Sequence, residues 1–212
     1  MNRGKSFLKR LARDESGLAF VEFALAAPLL LLLILGGLEL ANYSLAQMRV
    51  NQIAMTVADN AGRVQTSIDE ANIYEVFAGA AVIGNPMDFK TNGRVILSSL
   101  EHNRHKDTNE GQMVNWQRCW GDLSVKSAYA NQNDGRNDSS LVAGMGPTGK
   151  KIYSLEGSAV MFVEVIYDYE PLVDTSFMVL QKRMRHESAF NVRERTNNNI
   201  NNAQGLAVNS CT

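Results

Sequence analysis

The chain has 212 residues, with 21 Lys and Arg against 22 Asp and Glu, three His and two Cys. A net charge of −1 gives no global pull toward nucleic acid, and two cysteines do not make a zinc site. Beyond the apolar stretch near the N-terminus about 170 residues remain, enough for one ordinary domain with a core.

Residues 1–17 form a short basic leader: Arg3, Lys5, Lys9, Arg10 and Arg13 face only Asp14 and Glu15. From Leu18 to Leu38 the one ionisable side chain is Glu22, and an unbroken Leu/Ile run covers Leu29 to Leu35. As a helix this segment reaches roughly 30 Å, enough to cross a hydrocarbon core. The positive-inside rule keeps the leader cytoplasmic and sends the remainder outside. Pro28 removes one amide donor, so a gentle kink is expected there. A carboxylate inside such a span costs about 2.5–3.5 kcal/mol on insertion scales, so Glu22 requires a partner or a purpose.

Two plain readings compete for this segment. A cleaved secretory signal would have a shorter apolar region, no glutamate within it and a small-residue site after Gly37. In a simple single-pass anchor, Gly17 and Glu22 would carry no meaning. A basic leader ending in glycine, with glutamate fifth in the apolar segment and phenylalanine after it, has the shape of a type IV prepilin processing site. More narrowly, Gly17, Val21, Glu22, Phe23, Ala24, Leu25, Pro28, the leucine run, Gly36 and Glu39 resemble the start of TadE-like proteins. These are minor pseudopilins of the tight-adherence (Tad/Flp) pilus machinery. The resemblance covers about residues 10–45. It implies cleavage between Gly17 and Leu18 by a prepilin peptidase, with Glu22 and Phe23 as assembly contacts. Its implied partners are that peptidase, a second pseudopilin, the major Flp pilin, the inner-membrane assembly platform and the inner membrane itself. No nucleic-acid partner and no cofactor are expected.

The organisation read from the sequence is a cytoplasmic leader (1–17), a transmembrane helix (18–39), a periplasmic α+β head that includes the helix continuation (40–195) and an Asn-rich tail (196–212). After Glu39 the helical period continues through Leu45, Met48, Ile53, Val57, Ala61 and Val64, to about Gln65. Ser67 to Glu70 read as a capping box for a second helix, ended by Gly84 and Pro86. Strands are expected over 94–100, 113–120, 158–169 and 184–193, with a short helix capped by Asp174 before the last. The third carries apolar residues of both parities, which argues for a central strand. A helix followed by such strands predicts α+β with an antiparallel sheet. The tail from Thr196 to Gln204 reads as disordered. Cys119 and Cys211 would lie in an oxidising compartment, where they either pair and pin the C-terminus or remain two thiols.

Chemistry is sparse. Gly144 to Lys151 nearly spells a phosphate loop, but Lys151 replaces the Ser/Thr that would hold magnesium. His102 and His105 lie in a polar segment without a completed ligand pattern, and His186 shares its strand parity with Met184, Phe190 and Val192. Arg183, Arg185, Arg193 and Arg195 make the last strand basic, which reads as a solvated face or as ion pairs with Glu164 and Asp168. No catalytic or metal-binding residue is assigned. The rival function is a membrane-anchored periplasmic enzyme or binding protein with an unrecognised site in the Gly- and Asn-rich loop at 121–151.

Overall fold

A computed structural model describes residues 17–173 and 180–211. The elements are α1 (Leu18–Arg63), β1 (Thr66–Asp69), α2 (Glu70–Gly84), α3 (Phe89–Asn92), β2 (Gly93–His102), β3 (Gln112–Trp120), β4 (Ala159–Asp168), β5 (Arg183–Asn191) and β6 (Arg195–Asn201). The architecture is α+β: a long N-terminal helix followed by a small antiparallel sheet. The helix expected from Asp174 lies outside the described residues. The chain divides into two units. One holds α1 up to Tyr43 with the segment that begins at Pro171; the other holds Ser44–Glu170 and the chain from Leu180 on.

In the first unit α1 continues through Pro28. Apolar side chains from Leu18 to Leu40 point outward, whereas Glu39 is fully buried. Its carboxylate accepts the backbone N–H groups of Leu172 at 2.9 Å and Val173 at 3.2 Å.

In the second unit α1 buries Ala46, Val50, Ile53, Ala54, Val57, Ala58 and Ala61. This is the stripe that a 3.6-residue period places on one face. It corrects the sequence reading at two positions: Leu45 and Met48 are 49% and 67% exposed and belong to the opposite side. Alanine carried the inward face, and alanines are a weak apolar signal beside leucine and methionine. The helix ends where the Arg195 guanidinium donates to the carbonyls of Ala61 (2.6 Å) and Val64 (3.0 Å), satisfying groups that a helix terminus leaves unpaired.

The expected capping box is displaced by two residues. Asp69 is the N-cap of α2, accepting from Ala71 N–H, while the Asn72 side chain accepts from Asp69 N–H, each at 3.0 Å. Ser67 lies in β1, which pairs in parallel with β6. The stretch read as a disordered tail therefore contains a strand, held to the end of α1 by Arg195 and to β3 by the Trp116 indole N–H donating to the Asn198 carbonyl. Asparagine-rich composition concealed it, because its partners are backbone groups and not a hydrophobic face.

The main sheet has the order β3-β2-β4-β5, antiparallel throughout. β4 is central and buried on both sides, as its double apolar parity requires. Leu97, Val163, Val165 and Tyr167 are buried on one face, where Tyr167 meets α3. Phe89 stacks between Trp120 (5.8 Å) and Tyr167 (5.9 Å), and Gln47 bonds His186. Gly84 is required at the end of α2, since a Cβ there would lie 2.5 Å from that of Phe89. The other face is covered by residues 121–155. Ala130, Leu141 and Met145 pack on Leu100, Val114, Val160 and Phe162, and Leu123 and Val125 pack on Ile96 and Ile166. The long glycine-rich loop is thus the second wall of the core. The Cys119–Cys211 disulfide ties the C-terminal end to β3.

Candidate functional site

An apolar helix that packs into a protein core hides one face or all of them. The most apolar eighteen-residue window of α1 hides none, and α1 is the one helix among the described residues long and apolar enough to cross a membrane. It fits a single-pass membrane anchor. Gly17 immediately precedes α1, and Leu18 is its first residue. Glu22 lies one turn further along, and its neighbour Phe23 is 66% exposed. Leu18, Glu22 and Phe23 therefore lie at one helix end with their side chains exposed, directly after Gly17. Glu39, seventeen residues on, has a different setting: it is buried, with two amide donors. Its role was not readable from sequence, because the donors are backbone groups of a distant segment.

Residues 17–59 match the family described as TadE-like protein. The N-terminal segment is TadE-like. The match begins at the glycine that precedes α1 and runs past the membrane-length stretch into the amphipathic half of the helix. A TadE-like segment points to a pilus-related protein. No curated protein and no solved structure matches the chain.

The remaining candidates resolve into structural roles. The phosphate-loop lookalike is a hairpin closed by reciprocal bonds between Met145 and Ile152, with the Lys151 ammonium donating to the Gly146 carbonyl at 2.7 Å. His102 accepts the Arg104 N–H at 3.0 Å, and His105 Nε2 donates to the Arg136 carbonyl at 2.9 Å. Among the described residues no His, Cys, Asp and Glu group of three or more could hold a metal. Each arginine of the basic stretch is engaged. Arg183 grips Asp168 bidentately at 2.6 Å, Arg185 reaches Glu164 at 2.5 Å, Arg193 lies 3.6 Å from Asp59, and Arg195 caps α1. The Arg183 guanidinium holds the Asp168 carboxyl below the usual range. Burial pushes the Glu164 carboxyl up, against the pull of Ser127, the Ala128 amide and Arg185.

Beside the 121–151 segment lies a pocket of about 410 Å³, walled by Ile96, Val125, Gln117, Gln132 and the disulfide. The one ionisable side chain on its rim is Lys126.

Proposed function

We propose that the chain is a minor pilin-like subunit of a Tad/Flp-type pilus, anchored once in the bacterial inner membrane. The leader is cytoplasmic and the sheet unit periplasmic. A prepilin peptidase cuts between Gly17 and Leu18, which removes the basic leader and leaves Glu22 as the fifth mature residue. The observation that carries this reading is the TadE-like match, which starts at Gly17, together with a helix that begins at Leu18 and keeps its apolar side chains exposed. A new α-amine on Leu18 and the Glu22 carboxylate of a neighbouring subunit can neutralise one another within lipid. The pair offsets the desolvation of both charges and admits one axial offset between helices. Partners on this reading are the peptidase, a second pseudopilin, the major Flp pilin and the assembly platform.

Intact-mass measurement of membrane-extracted protein tests the proposal. The expected N-terminus is Leu18. A retained Met1 leader in piliated cells, or a cut beyond Gly37, would overturn it.

A further inference from the structure

The two edges of the main sheet are finished differently. Along β3 the outward groups are taken up. Gln112 N–H bonds Leu141 O, and Val114 exchanges bonds with Asn133 and Asp134. Gln117 N–H bonds the Gln132 side chain, and Cys119 N–H bonds Asn209 O. β5 is the opposite edge. Tyr169 N–H donates to Lys182 O and Val192 N–H to Ala159 O, which fixes the phase of the β4–β5 ladder. An antiparallel ladder alternates, so residues 184, 186, 188 and 190 bond β4. Arg183, Arg185, Glu187 and Ala189 aim their backbone groups away from the sheet. Among the described residues none takes those groups up.

An unsealed edge is a template for another strand, and proteins ordinarily blunt such edges. Here one edge is closed at four positions and the other left open. At the Ala189 end, the open edge adjoins a cleft of about 370 Å³ bounded by Met55 and Phe190, with Asp59 between Arg63 and Arg193. Two guanidinium groups share one carboxylate there, which leaves room for an acidic side chain beside an apolar one.

A second copy does not fit this edge. Symmetric β5–β5 pairing needs a two-fold axis normal to the sheet, and that axis reverses the α1 segment packed on the sheet face. The α1 segments of the two copies, which run along β5 from Gln47 at His186 to Gly62 at Arg193, would then be antiparallel, whereas copies of one singly anchored subunit share one topology. Pairing of β5 with β3 of another copy is blocked by the closed β3 edge. We infer that the β5 edge receives, as a fifth strand, an extended segment of a different pilin-like subunit that places an apolar side chain and a neighbouring carboxylate in the Met55–Phe190 cleft. This rests on the membrane-anchored, pilin-like reading above.

Residue-resolved amide exchange on the full chain, in detergent alone and in membranes that also contain the other pilin-like subunits, tests the inference. Strand addition should slow exchange at Arg183, Arg185, Glu187 and Ala189 by about tenfold or more, and leave residues 184, 186 and 188 unchanged. Ala189→Pro removes an outward donor and no internal bond, so it should keep the fold and weaken subunit capture by about tenfold. Ser188→Pro breaks a β4 bond and should lower stability instead. If helix crosslinks to the other subunits persist while the four amides exchange as in the isolated protein, strand addition is overturned and the pilin-like reading stands. If no such crosslink forms, both fall.

Discussion

Glu70→Ala should destabilise the sheet unit by about 3–5 kcal/mol, because it leaves a guanidinium buried without its counter-charge. Glu70 opens α2 and Arg118 lies on β3. Arg118 Nε and Nη2 reach one Glu70 oxygen at 2.8 and 2.5 Å, with the two side chains 9% and 2% exposed. Two unit charges at that separation gain about 6 kcal/mol at an effective dielectric of 20, and desolvation of both partners cancels much of it. The intact pair is therefore worth little net, while either half alone is costly. Glu70→Leu combined with Arg118→Met should lie within about 1–2 kcal/mol of the parent, since two apolar chains of similar length fill the gap. Urea unfolding of the full chain in detergent, followed by the fluorescence of Trp116 and Trp120, reads the difference. With a slope of about 2 kcal/mol per molar, the single variant should shift the midpoint by roughly 2 M. A loss below about 1 kcal/mol for Glu70→Ala, or one as large in the double variant as in the single, would refute the reasoning.

Glu22→Gln should still be cleaved after Gly17 and should insert more readily. Its capture of partner subunits should fall, since a neighbour's amine left unpaired in lipid costs about 3–5 kcal/mol if fully buried. Normal crosslinking and full piliation in that strain would return Glu22 to the role of a passive anchor residue. Cys211→Ser should lower stability by about 4–5 kcal/mol in the chain-entropy model, because the bond spans 92 residues. Alkylation of both thiols in the exported parent without reductant would contradict that. Burial, then the 2.7 Å bond to Glu187, pushes the Tyr129 hydroxyl up to about 12. A folded value above the unfolded one of about 10 means that its contribution is whole below pH ~10 and lost as pH rises through the folded value. The phenolate absorbance difference between the parent and Tyr129→Phe should therefore stay flat near pH 10; a transition there would count against the burial argument.

What the amino-acid order determined alone is whatever depends on period and composition over one contiguous stretch. The run from Leu18 to Leu38 is membrane-length and apolar on every side, and no later packing changes that property. β4 declares itself central because its two parities are both apolar. The charge pattern left a solvated face and ion pairs with Glu164 and Asp168 both open for Arg183 and Arg185, and the strand pairing, with Arg183 opposite Asp168 and Arg185 opposite Ile166, decided for the ion pairs. Tertiary structure decided the features whose partners are backbone groups or distant residues. Asn197, Asn198 and Asn199 form a strand because Arg195 is held by the carbonyls that end α1. The 121–155 segment becomes a core wall through widely spaced apolar residues such as Ala130, Leu141 and Met145, which show no local period. Glu39 is buried because two amides more than a hundred residues away reach it. The open β5 edge belongs to the same class. A strand's own sequence encodes which face is apolar, but its position at an edge depends on where the neighbouring strands stop, and that is a property of the whole sheet.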